Sequence, residues 1–268
     1  MKNLILSAAC GLDPNQIEFF LKSLRKYYND DVLFLVQKED LEVKQFLKSY
    51  NCNFLEIKEH KFDVQLKRYF YYLKILNEKK YKNILLCDSR DIYFQSDPFD
   101  YPFKGSINFF LEDKKIADCP YNTNWIIKTY GKKKYNDLSK NIIICSGTTL
   151  GTLEGIKSYL KLMLEQAKNY KYKKQLKYLL TFRRDKEGRG CDQAHANYIA
   201  HNDLVTSSYF YKNDSGPIAT VFHLKKIAFN EKFQLINSQN KPYSIVHQYD
   251  KRWGEFKDIL KEFKKTLI

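Results

Sequence analysis

No stretch of this sequence approaches the ~18 consecutive apolar residues of a membrane-spanning helix, which predicts a soluble or peripheral protein. The start, Met1 to Cys10, superficially looks like a lipoprotein export signal. Its apolar centre is only Leu4 to Leu6, short of the ~7–15 residues such a signal needs, so it reads as a first strand. The six cysteines (Cys10, Cys52, Cys87, Cys119, Cys145, Cys191) include no Cys-x-x-Cys pair. Neither that spacing nor the placing of the histidines supports a zinc site. Cysteines that close apolar runs suit reduced, buried thiols in the cytoplasm. No Gly-x-Gly-x-x-Gly follows the first strand, so the dinucleotide-binding fingerprint is absent. There is no internal repeat, low-complexity linker or convincing domain boundary. Acidic residues are in the minority, 31 against 46 Lys and Arg.

What is present fits a folded α/β protein. The 268 residues can bury one large core. An aromatic content of 16% is too high for a disordered chain. The net charge of +15 favours phosphorylated substrates, anionic lipid or nucleic acid without choosing among them.

Strand and helix alternate along the first third. Leu4 to Leu6 is a strand. Asp13-Pro14-Asn15-Gln16 opens a helix with a capping box, and Ile17, Phe20, Leu21 and Leu24 form its inward face. Val32 to Val36 is a strand, Leu41 to Tyr50 a helix and Phe54 to Ile57 a third strand. This alternation predicts a parallel sheet with helices on both faces. Val64 to Leu76 is a helix; Arg68 within it defaults to solvated surface. Further strands are expected at Ile107 to Leu111, Asn141 to Cys145, Ala219 to Leu224 and Ser244 to Val246, with a polar region around Trp125. Ser146-Gly147-Thr148-Thr149 reads as a turn or as backbone that lets a ligand approach. Leu153 to Asn169 is a helix continuing into a Lys-Tyr stretch to Tyr178. Arg183 to Gly190 reads as a mobile loop. A helix beginning at Cys191-Asp192-Gln193 places Asp192 where the helix dipole stabilises it. The tail, 251–268, is a basic amphipathic helix after a single domain spanning 1–250; packing on that domain is its default, and an anionic membrane surface the alternative.

The chain is organised around Asn83 to Phe99. Ile84 to Cys87 form a short apolar run of the kind buried on both faces of a sheet. Asp88-Ser89-Arg90-Asp91 follows. Carboxylates at the carboxyl end of such a strand stand where open α/β sheets place ligands, and their oxygens suit a hard divalent cation. The plainer reading is a capped turn paired with Arg90.

Taken in order, these landmarks resemble the GT-A class of nucleotide-sugar glycosyltransferases, in its retaining branch with glycogenin and the bacterial lipopolysaccharide galactosyltransferases. The resemblance implies a GT-A fold, Rossmann-like with a mixed central sheet. The family pattern is an apolar strand, Asp-x-Asp and a later Asp-Pro. Asp91 precedes Pro98 by the family's seven residues and inherits the metal-ligand role. Asp88, ahead of an inserted residue, shares the metal or contacts the ribose. Ala8, Ala9 and Cys10 match the nucleobase loop, with Arg68 and Ser89 carried as further nucleotide-binding candidates. Ser146 and Gly147 resemble the family's Asn-(Ala/Ser)-Gly sugar segment, with Cys145 in place of Asn. Asp192-Gln193 with Asn197 matches Asp-Gln-x-x-x-Asn, giving Asp192 the sugar face and Gln193 a neighbouring catalytic place. His247 corresponds to the histidine that completes the metal site. The Lys-Pro-Trp after it is replaced, leaving Lys251 or Arg252 for the diphosphate.

The activity this implies is Mn2+- or Mg2+-dependent transfer of a sugar from a nucleotide-diphosphate donor, UDP-sugar favoured. The acceptor would be a glycan or a lipid-linked glycan, in surface polysaccharide synthesis. The location would be cytoplasmic, with membrane contact at most peripheral and no nucleic acid. The rival classes are a basic nucleic-acid-binding protein, with steeply salt-dependent binding, and a nucleotidyltransferase or phosphohydrolase with an aspartate pair. The last two lack their expected Gly-rich basic loop and Asp-x-Asp-Gly-Thr turn.

Overall fold

Strand β1 (Leu4–Ala8) has no solvent-facing side, and its neighbours are built the same way. In the computed structural model, which describes residues 1–58, 64–181 and 190–267 (side chains excepted over 171–181), β1 lies within a seven-stranded sheet. Helix α1 (Pro14–Tyr27) starts as its sequence dictates: Asp13 accepts from the Gln16 N–H, and the Gln16 side chain accepts from the Asp13 N–H. Then come β2 (Asp31–Gln37), α2 (Leu41–Ser49), β3 (Asn53–Ile57), α3 (Val64–Glu78) and β4 (Asn83–Cys87). These four strands are parallel in the order β3-β2-β1-β4. The chain winds one way from β1 to β3 and returns on the other side at β4. The crevice beyond β1 and β4 is therefore a topological switch point.

The parallel sheet expected from the alternating first third holds for these four strands, and beyond β4 the sheet becomes mixed, as the resemblance implies. After β5 (Ile92–Phe94), strand β6 (Ile107–Lys115) leads through helix α4 (Pro120–Leu138) into β7 (Ile142–Thr152). Strand β7 runs antiparallel to both β4 and β6, so the sheet is mixed. Ser146 to Thr149, read as a turn or as a segment a ligand approaches, lie inside β7. The polar region around Trp125 is α4, whose turns are broken by a left-handed Gly131 (φ 85°). Helix α5 (Leu153–Thr181) carries its backbone through the Lys-Tyr stretch, and the side chains from 171 onward, like the expected loop at 183–189, lie outside the described residues.

Helix α6 (Cys191–His201) begins at the expected place and packs along β7; β8 (Ser208–Tyr211) then closes the sheet parallel to β6. The last strands, β9 (Ile218–Thr220) and β10 (Ile245–His247), join β5 in a small second sheet. Helix α7 (Trp253–Lys265) buries Phe256, Leu260 and Phe263 in a cluster with Phe19 and Tyr93, so the amphipathic tail packs on the protein. No described helix is long and apolar enough to cross a membrane.

His195, in the middle of α6, is completely buried, and burial lowers its imidazole to about 4. The unfolded chain, with histidine near ~6.5, binds the proton more readily than the folded one between these values. Stability is therefore greatest above the unfolded pKa and falls as pH drops towards 4. The loss is on the order of 3 kcal/mol. Melting temperature against pH will show this acid limb in the parent chain and a shallower one in His195→Phe.

Candidate metal centre

The two sheets meet at the four residues after β4. Asp88 still follows the large sheet: its N–H donates to the Gly147 carbonyl (2.9 Å), extending the β4–β7 ladder by one rung. Asp91 already belongs to the small sheet, because the next residue, Ile92, pairs with His247 across β5 and β10. The Gln248 N–H donates to the Asp91 carbonyl (2.8 Å) from a left-handed backbone (φ 61°). Antiparallel register thus carries His247 to the acidic loop from the far end of the chain.

One atom from each of Asp88, Asp91 and His247 lies within 4.8 Å of the other two. The His247 Nε2 is 3.7 Å from Asp88 Oδ2 and 3.6 Å from Asp91 Oδ1, beyond hydrogen bonding, and is buried without a partner. Its other nitrogen, Nδ1, meets Cys145 Sγ at 3.4 Å, which fixes the ring. Gly147 completes the cradle. A Cβ there would stand 2.4 Å from His247 Cε1 and 2.6 Å from Asp88 Oδ2. An orphaned imidazole nitrogen facing two carboxylates, with side-chain bulk excluded beside it, fits a divalent cation. The charges agree. Burial alone would lower the His247 imidazole, but Cys145, Asp91 and Asp88 outweigh it and raise it. The pocket attracts positive charge.

Arg68 corrects the expectation of a solvated side chain. Its side chain is 12% exposed, and the guanidinium donates from Nη1 to Asp88 Oδ1 (2.7 Å) and from Nη2 to Asp192 Oδ2 (3.1 Å). Two carboxylates on different elements draw it in. Burial works to raise the Asp88 carboxyl, yet Arg68 and His247 hold it below the usual carboxylate range. At Asp192 burial prevails, helped by the charge of Asp88 and opposed by Arg68, and the carboxyl is raised. The space beside Arg68, walled by Tyr69, Tyr72 and Ser146, has no room for water.

The other candidates surround this core. Ala8 ends β1 and Ala9 follows it; the Ala8 carbonyl accepts from the Ser89 hydroxyl (2.7 Å), and Cys10 Sγ turns to the Leu35 carbonyl. Ser89 therefore ties the β1 loop to the acidic loop. Gln193, expected beside the chemistry, is engaged with β7. Its oxygen accepts the Ser146 N–H (2.8 Å) and its nitrogen donates to the Ile144 carbonyl (2.6 Å). Asn197 clasps both polar groups of Ile144. Together they hold β7 where surplus residues bulge it: Phe109 pairs with Thr149, but Leu111 already pairs with Ile144. Arg252 is tied to Glu255 and the Leu224 carbonyl, whereas Lys251, on Asp250, is more exposed. Sequence reasoning missed Cys145 and Gln248 as supports of the centre; neither carries a local signal. Compared with models of known protein families and with curated proteins, the chain matches none of them.

Proposed function

We propose that the protein is a divalent-metal-dependent glycosyltransferase of GT-A type that moves a sugar from a nucleotide-diphosphate donor to a glycan or lipid-linked acceptor. The observation that carries this reading is the meeting of Asp88, Asp91 and His247 at the switch point between β1 and β4. A diphosphate needs its charge met there, and the β1 loop is tied directly to the acidic loop. Mn2+ or Mg2+ would be held by Asp88 Oδ2, Asp91 Oδ1 and His247 Nε2, and when bound supplies Lewis-acid stabilisation of negative charge on the departing diphosphate.

The chain's own groups do the rest. Arg68 holds Asp88 and Asp192 in fixed orientation, leaving the second Asp88 oxygen for the cation. Asp192, at the first turn of α6, faces the donor sugar. Gln193 and Asn197 keep β7 in place so that Ser146 and Gly147 present backbone to the ligand. Lys251 adds a cation at the rim. The charge of +15 favours an anionic acceptor or one held at an anionic membrane.

A thermal-shift panel tests this reading. UDP and UDP-sugars at about a hundred times Kd raise stability by ~2.7 kcal/mol, roughly 5–10 °C in Tm for a chain of this size. The shift should require Mn2+ or Mg2+ and vanish in Asp91→Asn. If no nucleotide diphosphate moves the transition in either metal, the reading is wrong.

A further inference from the structure

Helices α1 and α7 frame a groove of about 680 Å³, a volume within the range of small-molecule sites. Lys22, Arg25 and Lys26 line it from α1, Lys264 and Lys265 from α7, and Tyr50 from the end of α2. The metal centre uses none of them. Packing forms the groove: Phe263 of α7 meets Phe19 of α1 edge-on, and the Lys26 ammonium donates to the Thr266 carbonyl just past α7.

Five cations gathered in one groove need counter-charge, and the described residues supply little. Glu18 pairs with Lys22 (2.8 Å) and Glu262 with Lys265 (2.8 Å). Among the described residues the other three meet only neutral groups. Arg25 donates to the carbonyls of Tyr28, Asp30, Tyr50 and Asn51 and towards the Cys52 thiol, and Lys26 to the Thr266 carbonyl. Lys264 lies over the Phe19 ring, 4.8 Å from its centroid. A carbonyl or an aromatic face orients a cation without cancelling its charge, so three positive charges stay uncompensated. A cleft lined by charge of one sign concentrates ions of the other.

The cations are also within reach. Lys22, Lys26, Lys264 and Lys265 are solvent-exposed, so their ammonium groups can turn to a ligand. Arg25, held by its carbonyls, supplies field rather than contact. Three charges exceed the ~1.5–2 negative charges of one phosphate monoester. Two or more phosphates match them, and lysine binds phosphate as a point charge on a flexible stem.

We propose that the groove between α1 and α7 is a binding site for a group carrying two or more phosphates, separate from the metal centre. Binding needs neither a divalent cation nor a sugar nucleotide, so it stands or falls apart from glycosyl transfer.

The test is calorimetric titration of the full chain with inorganic tripolyphosphate at low ionic strength, without divalent metal. It should bind with a Kd of ~1 mM or tighter. Lys26→Gln/Lys264→Gln should weaken it about tenfold. Lys132→Gln/Lys133→Gln, which removes the same charge from exposed positions on α4, should bind as the parent does. A second arm sediments the chain with phosphatidylcholine vesicles that carry a phosphatidylinositol bisphosphate. Sedimentation lost in the groove variant places the phosphates on a lipid headgroup; tripolyphosphate binding without sedimentation places them on a soluble ligand. The proposal is overturned if tripolyphosphate fails to bind at roughly ten-millimolar concentration, or if the groove variant binds it unchanged. It is overturned equally if the α4 variant loses as much, because net charge alone would then account for the attraction.

Discussion

Alanine at position 147 will strip the protein of divalent-cation binding while leaving it folded. The added Cβ would lie 2.4 Å from His247 Cε1, 2.9 Å from His247 Nε2 and 2.6 Å from Asp88 Oδ2, closer than real Cβ contacts come. Something must move, and the neighbours that must yield are two of the three ligands. His247 cannot swing aside easily, because its strand pairs with β5 on one side and β9 on the other, and Cys145 backs its ring. Asp88 is held by Arg68. The displacement therefore falls on the centre itself. The backbone at Gly147 is not in the left-handed region, so alanine brings only overpacking, about 1–3 kcal/mol. Calorimetry with Mn2+ should show affinity lowered on the order of 100-fold. Gly254→Ala, where a Cβ meets nothing within 4 Å, should bind as the parent does. Parent-like affinity in Gly147→Ala would mean that the cation is held elsewhere.

The elements that could be read from the sequence are those whose signals are local. The capping box at Asp13 fixed where α1 begins, and the apolar run Ile84 to Cys87 marked a strand buried on both faces. Strand β7 was legible only to Cys145. Its continuation is Ser, Gly and Thr around a single Leu150, mostly residues that elsewhere make turns, and it is strand here because β4 and β6 pair with it. Strand β5 has three residues, too few for a periodicity, yet its pairing with β10, where a strand was expected, is what brings His247 to Asp91. Resemblance to a family named that histidine; no local pattern could. Arg68 shows the opposite failure. A charged residue on a Tyr- and Lys-rich helix belongs by default at the surface, and what buries it is a pair of carboxylates separated from it by 20 and 124 residues.

That bridge underlies the second large effect, expected for Arg68→Met. Methionine keeps much of the stem's volume and removes the charge, leaving Asp192, 10% exposed, without the guanidinium that bridges it to Asp88. Losing one partner of a buried charge network costs about 3–5 kcal/mol, which urea unfolding at neutral pH should register. The sign of the pH dependence follows from Asp192. Its carboxyl is already raised by burial and by Asp88 against the pull of Arg68, and without the arginine it rises further. The folded variant then binds a proton more readily than the unfolded chain, so its deficit shrinks as pH falls through the folded pKa and grows as pH rises. Arg68→Met/Asp192→Asn removes the second charge and should recover most of the loss. A deficit under ~1 kcal/mol in the single variant would mean that solvent screens the bridge as it does at a surface. A full deficit that Asp192→Asn fails to relieve would locate the unpaired charge at Asp88 instead. Mn2+ should then restore stability where asparagine does not, and Arg68 would be supporting the metal centre rather than the packing of α6 against α3.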